Sequence, residues 1–140
     1  MSKEVIIENI VDVPEMGYAK EGDGGIDCYT AEDVVLSPGE IKAIPLGVKV
    51  QLPSDCVAIS MTKSGLFKKG LFSVTGLIDS GYRGQIHSLA INMSQEVMEI
   101  PKGQKVCQIM VLEIPNVEIK YGEVSNDTER GETGFGSSGI

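Results

Sequence analysis

The sequence predicts an all-β domain, a sandwich or jelly-roll-type barrel, and three observations predict it. Short apolar runs alternate with polar residues at period two. Seventeen glycines and six prolines in 140 residues leave few windows long enough for a helix. Turn residues recur between the runs at short, regular spacing, as they do in closed or two-layered β architectures. In chain order, GDGGIDCYT (22–30) is a glycine-dense loop leading into a strand, and SPGE (37–40) is a turn with Pro38 preset for its second position. LGVKVQL (46–52) sets Leu46, Val48, Val50 and Leu52 against Gly47, Lys49 and Gln51, the signature of a strand with one buried face. VAISM (57–61) alternates in the same way, and SGLFKKG (64–70) has room for one helical turn. GLIDSGYRGQI (76–86) is a strand that drops into a tight turn. QIHSLAINMSQEVMEI (85–100) has a helix's length, but Leu89, Ile91 and Met93 alternate, so it is read as strand. PKGQ (101–104) is a further turn, and KVCQIMVLEI (105–114) is apolar on both parities, as a strand covered on both sides would be.

These residues form one domain with one core, expected over 1–124, followed by a flexible, Gly/Ser-rich arm over 125–140. No run of about 18 apolar residues exists, which predicts no membrane association. MSKEVIIENIV carries acids within its apolar stretch, unlike a secretion signal, so a cytoplasmic chain is expected. The net charge of −8 argues against nucleic acid as a partner. Residues 61–90 nevertheless hold Lys63, Lys68, Lys69 and Arg83 against the single acid Asp79, enough for a small anion or simply a solvated face. Cys28, Cys56 and Cys107 lack CxxC or CxxH spacing and read as three reduced thiols rather than a zinc site. His87 reads as an ordinary strand residue.

Four stretches carry chemistry. Asp79 follows Leu77 and Ile78, and partial dehydration of such a carboxylate raises its proton affinity toward that of a general base; the plain alternative is a turn-capping aspartate. Asp27 stands among apolar neighbours after a loop that permits close approach of a ligand; a simple turn is the alternative. TKSGLFKKG (62–70) offers Ser64, backbone N–H groups and a lysine to phosphate oxygens, without the spacing of a P-loop. In RGETGFGSSG (130–139), Arg130 brings a planar fork for phosphate, Phe135 a face for a planar base, and the glycines a backbone that can wrap closely. A disordered tail accounts for the glycines but not for Arg130 and Phe135.

In order and spacing, GGIDCYT, TKSGL, GLIDSGYRG, KGQKVCQIMV and RGETGFGSSG resemble the five motifs of the homotrimeric deoxyuridine triphosphatases (dUTPases) from about residue 22 to 139. The resemblance implies a jelly-roll-type β-sandwich assembled as a homotrimer. Each of its three active sites would be built from all three subunits, the arm of one closing over a pocket formed by the other two. It implies hydrolysis of dUTP to dUMP and pyrophosphate with Mg²⁺. Asp79 would accept the proton of the attacking water, and Asp27 would face the metal's water shell without binding the metal directly. Lys63, Ser64 and Gly65 would meet the phosphates, with Gln108 supporting that pocket. The hairpin from Ser73 through Gly76 and Ile78 would read the uracil edge, and Tyr82 would pack under the deoxyribose. Arg130 would hold the γ-phosphate and Phe135 would lie over the base, with Gly136 and Ser137 completing the arm's contacts. The chain departs from the family pattern at Lys63, where arginine is common, at Thr62 in place of proline, at Tyr29 in place of a basic residue, at Cys107 in place of alanine and at Thr133 in place of glycine. Two further readings remain: a regulatory module gated by dUTP, and a dCTP deaminase of the same architecture.

Overall fold

The alternating runs become strands in a computed structural model that describes residues 3–73 and 76–136. The elements are β1 (Ile6–Asn9), β2 (Ile26–Tyr29), β3 (Val34–Leu36), β4 (Ile41–Pro45), β5 (Val48–Gln51), β6 (Cys56–Thr62), α1 (Ser64–Lys68), β7 (Leu71–Ser73), β8 (Leu77–Asp79), β9 (His87–Asn92), β10 (Met98–Ile100) and β11 (Lys105–Glu113). A four-stranded sheet runs β2-β11-β6-β8 and a three-stranded sheet β4-β9-β7, with the pairs β1-β5 and β10-β3 beside them. The ladders among the described residues are antiparallel. Non-consecutive strands pair throughout, the connectivity of a jelly-roll-type sandwich.

One core joins all four sheets. Ile26, Ala58 and Ile109 from the four-stranded sheet meet Ile44, Leu71 and Ala90 from the three-stranded one, with Leu36, Val48 and Ile100 from the pairs. Each large aliphatic side chain so buried contributes about 1.5–3 kcal/mol. Cys28 and Cys107 face each other across β2 and β11, fully buried and free. The contact with Cys107, together with burial, pushes the Cys28 thiol up from its ordinary range.

Two expectations need adjusting. The 85–100 stretch is not one strand: it breaks after Asn92, whose buried side-chain amide donates to Leu36 O at 2.9 Å and to Glu96 O at 2.7 Å while its Oδ1 accepts from Ser94 N at 2.9 Å. That amide closes the turn between β9 and β10, which the apolar alternation could not reveal. β11 is covered on both sides only at its start. The register shifts between Lys105 and Cys107, a bulge that buries the successive residues Val106 and Cys107, whereas Leu112 and Glu113 are exposed.

Own-chain pairing stops at Ile114, whose N–H bonds Asp55 O. Beyond it, Val117, Ile119 and Tyr121 alternate as in a strand yet are 67%, 81% and 100% exposed. The outer face of β4-β9-β7 also leaves Ile41, Phe72 and Leu89 uncovered. No helix among the described residues is long and apolar enough to cross a membrane.

Candidate active site

The residues singled out by sequence gather at three separate places. At the first, β8 ends on Asp79 and turns back through a Tyr82 N–H to Asp79 O hydrogen bond of 3.1 Å. Ile78 points into the core while Leu77 and Asp79 face out, beside a cavity of about 300 Å³ that Tyr82, Ile86 and His87 also line. Tyr82 donates its hydroxyl to Gln85 O at 2.7 Å, which fixes its ring at the cavity mouth. A Cβ on Gly84 would lie 2.5 Å from that hydroxyl, so the ring's position requires glycine there. The Asp79 side chain is exposed in the protomer, so the partial dehydration expected from its apolar neighbours Leu77 and Ile78 is not supplied by its own chain.

At the second place, Asp27 on β2 lies opposite Gln108 on β11. The Asp27 side chain is 5% exposed, and Lys63 Nζ approaches Oδ1 at 2.8 Å while Lys105 Nζ approaches Oδ2 at 3.1 Å. Burial pushes the Asp27 carboxyl up, but the hydrogen bonds from Lys63 and Lys105 outweigh it and hold the group below its ordinary value. A depressed acid contributes stability that is present above its unfolded value of 3.8 and lost as the pH falls through the lower folded one. On acidification from about pH 5 to pH 2, thermal melts of the native chain are expected to fall more steeply than those of Asp27→Asn. Asp27, Lys63 and Gln108 line a cavity of about 450 Å³ with Gly24 and Gly25. Ser64 and Gly65, exposed, follow Lys63 at the start of α1.

The glycine-dense loop turns out to serve Gln108. A Cβ on Gly25 would lie 2.2 Å from Gln108 Oε1. Gly25→Ala is therefore expected to swing the flexible glutamine aside with little change in melting temperature. If Gln108 supports a phosphate pocket as the resemblance implies, losing its hydrogen bond should weaken nucleotide binding about tenfold in calorimetry.

Ser73 does not join either cavity. It is buried, its N–H donates to Thr62 Oγ1 at 2.7 Å, its carbonyl accepts from the same hydroxyl at 2.7 Å, and its Oγ accepts from Ser88 Oγ at 2.7 Å. These bonds tie it to β6 and β9. Thr62, in place of the family's proline, makes this tie possible. Gly76 adopts φ +76°, a left-handed conformation that suits glycine. Val74 and Thr75, between them, lie outside the described residues, as does Ser137 of the arm.

The third place is the arm. Arg130 Nε donates to Thr133 O at 2.7 Å and Gly131 N–H donates to Thr128 Oγ1 at 3.0 Å, a self-contained turn that leaves the Phe135 ring fully exposed, with Gly136 beside it. Sequence reasoning missed the roles of Gly25 and Lys105, which depend on cross-strand neighbours, and that of Gly84, which depends on how the Tyr82 ring folds back over its own turn. No group of three or more His, Cys, Asp or Glu able to hold a metal occurs among the described residues.

The register measures the separation of the first two places. Asp79 pairs with Val57 at one end of β6, and Lys63 follows Thr62 at the other, six residues on. At 3.3 Å per residue this is about 20 Å. A hydrogen-bonded water spans only about 3 Å on either side. Within one chain, Asp79 and the Lys63–Ser64 step therefore cannot attend to the same phosphorus.

Comparison with known proteins bears on the family and the fold. The family model described as dUTPase matches residues 12–139. The deoxyuridine 5'-triphosphate nucleotidohydrolase of Clostridium kluyveri is 45% identical over 125 residues, covering 87% of both chains. That of Thermoanaerobacter sp. is 39% identical over 134 residues, covering 92% of this chain and 90% of the relative. A dUTPase of Staphylococcus bacteriophage 80alpha with dUpNHpp bound, described as controlling transfer of virulence genes by a proto-oncogenic G protein-like mechanism, superposes with a TM-score of 0.92. It is 27% identical, with 99% of this chain and 100% of that one covered. The match of nearly the whole chain, together with curated relatives of similar length, shows that this chain belongs to the dUTPase family.

Proposed function

We propose that the chain hydrolyses dUTP to dUMP and pyrophosphate at sites shared among three copies. The observation that carries the shared site is the separation of about 20 Å between Asp79 and the Lys63–Ser64 step on either end of one strand. One copy supplies Asp79 and the apolar pocket, a second supplies Lys63, Ser64, Gly65 and Gln108, and a third lays Arg130 and Phe135 over the substrate. The exposed alternating segment Val117–Ile119–Tyr121 and the uncovered face of Ile41, Phe72 and Leu89 support assembly with further copies, since large apolar surfaces on a lone protomer are unfavourable.

In this arrangement the uracil edge meets backbone groups of the hairpin around Gly76 and Ile78, and the deoxyribose rests on Tyr82, which leaves no space for a 2′-hydroxyl. Asp79 accepts a proton from the water that attacks the α-phosphorus in line with the leaving pyrophosphate. Closure by a neighbouring copy and its arm excludes water and supplies the dehydration that the lone protomer does not give this carboxylate. The donor set fits an ion carried by the phosphates rather than caged by protein: the lysines use two of about four acceptor positions of the Asp27 carboxylate, leaving others for water of the metal's shell. When bound, Mg²⁺ supplies neutralisation of charge on the phosphate chain. A cytoplasmic location suits a substrate of the nucleotide pool.

Incubation with dUTP or dCTP plus Mg²⁺, with products resolved by chromatography, tests the reading. The expected products are dUMP and pyrophosphate from dUTP and little from dCTP. Formation of dUTP from dCTP would instead mark a deaminase. A dUTP-gated regulatory module is the second reading, favoured by the likeness to the phage 80alpha protein; tight dUTP binding without turnover would support it.

A further inference from the structure

Lys105 has no part in the roles drawn from sequence, yet it holds one oxygen of a buried carboxylate in the wall of the Asp27–Lys63–Gln108 cavity. Its exposure is 47%, that of Lys63 31% and that of Asp27 5%, so the acid lies in the wall and both ammonium groups reach toward solvent. Asp27 alone would set a negative charge against any polyanion entering there. One lysine cancels that charge, and the second leaves the Asp27–Lys63–Lys105 cluster at +1, which offsets Asp23, the other acid lining the cavity. The pairing also has a directional consequence. Lys63, next to Ser64 and Gly65, lines the cavity, whereas Lys105 holds the other oxygen of Asp27 and is not among the lining residues. If Lys63 turned to a phosphate with no second partner for Asp27, a buried charge would be stranded, a costly state.

We propose that Lys105 is a positioning residue for the triphosphate: by pairing with Asp27 it frees the charge of Lys63 for the incoming anion. This rests on the reading of the cavity as the phosphate end of the dUTP site. The rival account is a plain ion pair that ties β2 to β11. The two differ in what a second substitution does. Lys105→Met leaves that cluster neutral and Asp23 uncompensated, whereas Lys105→Met combined with Asp27→Asn restores the cluster's +1 through Lys63 alone and removes the buried charge.

The test is calorimetric binding of dUpNHpp and of inorganic triphosphate to the full chain in Mg²⁺-free buffer, with melting temperatures recorded for every variant. Lys105→Met is expected to bind both probes about 5- to 10-fold more weakly, a difference that narrows near 1 M salt. Lys105→Arg should stay within about twofold of the native chain, and the double variant should recover most of the lost affinity. Native-like binding by Lys105→Met, or a double variant no better than the single one, would overturn the proposal and leave only the strand tie. Failure of the native chain itself to bind dUpNHpp would remove the dUTP reading and this proposal together.

Discussion

Asp79→Asn is expected to lower dUTP turnover by about 10³-fold, within the usual range for loss of a positioned general base. The amide matches the carboxylate in size but cannot take a proton from water at neutral pH. The side chain is exposed in the protomer, and no hydrogen bond or ion pair to it occurs among the described residues. The substitution should therefore leave the melting temperature and the affinity for dUpNHpp within about twofold of native, since surface changes usually stay within about 0.5 kcal/mol. Stopped-flow or chromatographic rates beside calorimetric Kd values check both halves. Retention of a tenth or more of the native kcat would remove Asp79 from the role of base.

Truncation after Glu129 has the second large effect. It deletes Arg130 and Phe135 together. An Arg–phosphate hydrogen-bonded contact contributes about 1.5–3 kcal/mol and stacking on a base about 1–3 kcal/mol. Allowing for incomplete additivity, about 3–4 kcal/mol corresponds to a 10²- to 10³-fold fall in kcat/KM. Arg130 and Gly131 bond within the arm's own turn, and the Phe135 ring is fully exposed. Stability and oligomeric mass should therefore be unchanged, as differential scanning calorimetry and light scattering would report. A truncated chain with native kcat/KM would show that the arm is no lid.

Elements whose identity rests on local pattern were legible in the sequence. The alternation in LGVKVQL became β5, SGLFKKG became one turn of helix, and PKGQ became a turn in which Gln104 N–H bonds Pro101 O at 3.1 Å. What depends on partners distant in sequence was not. The break at Asn92 follows from a buried amide that reaches Leu36, 56 residues away. The roles of Lys105 and Gly25 follow from the register of β2 on β11. Asp79 was recognisable from its hairpin as a candidate acid beside the plainer reading of a turn cap, but its distance from Lys63 is set by the length of β6 and appears in no motif.

Sites shared among copies, as proposed from the separation along β6, would make genetic complementation possible. Two inactive chains, one bearing Asp79→Asn and the other lacking its arm, would fail alone for different reasons. Refolded together into mixed rings, about a quarter of the sites would draw an intact acid from one parent and an intact arm from the other, because neighbouring copies contribute independently. Blending two dead preparations would then revive hydrolysis, whereas a protein that completed each site within one polypeptide would stay silent at every mixing ratio.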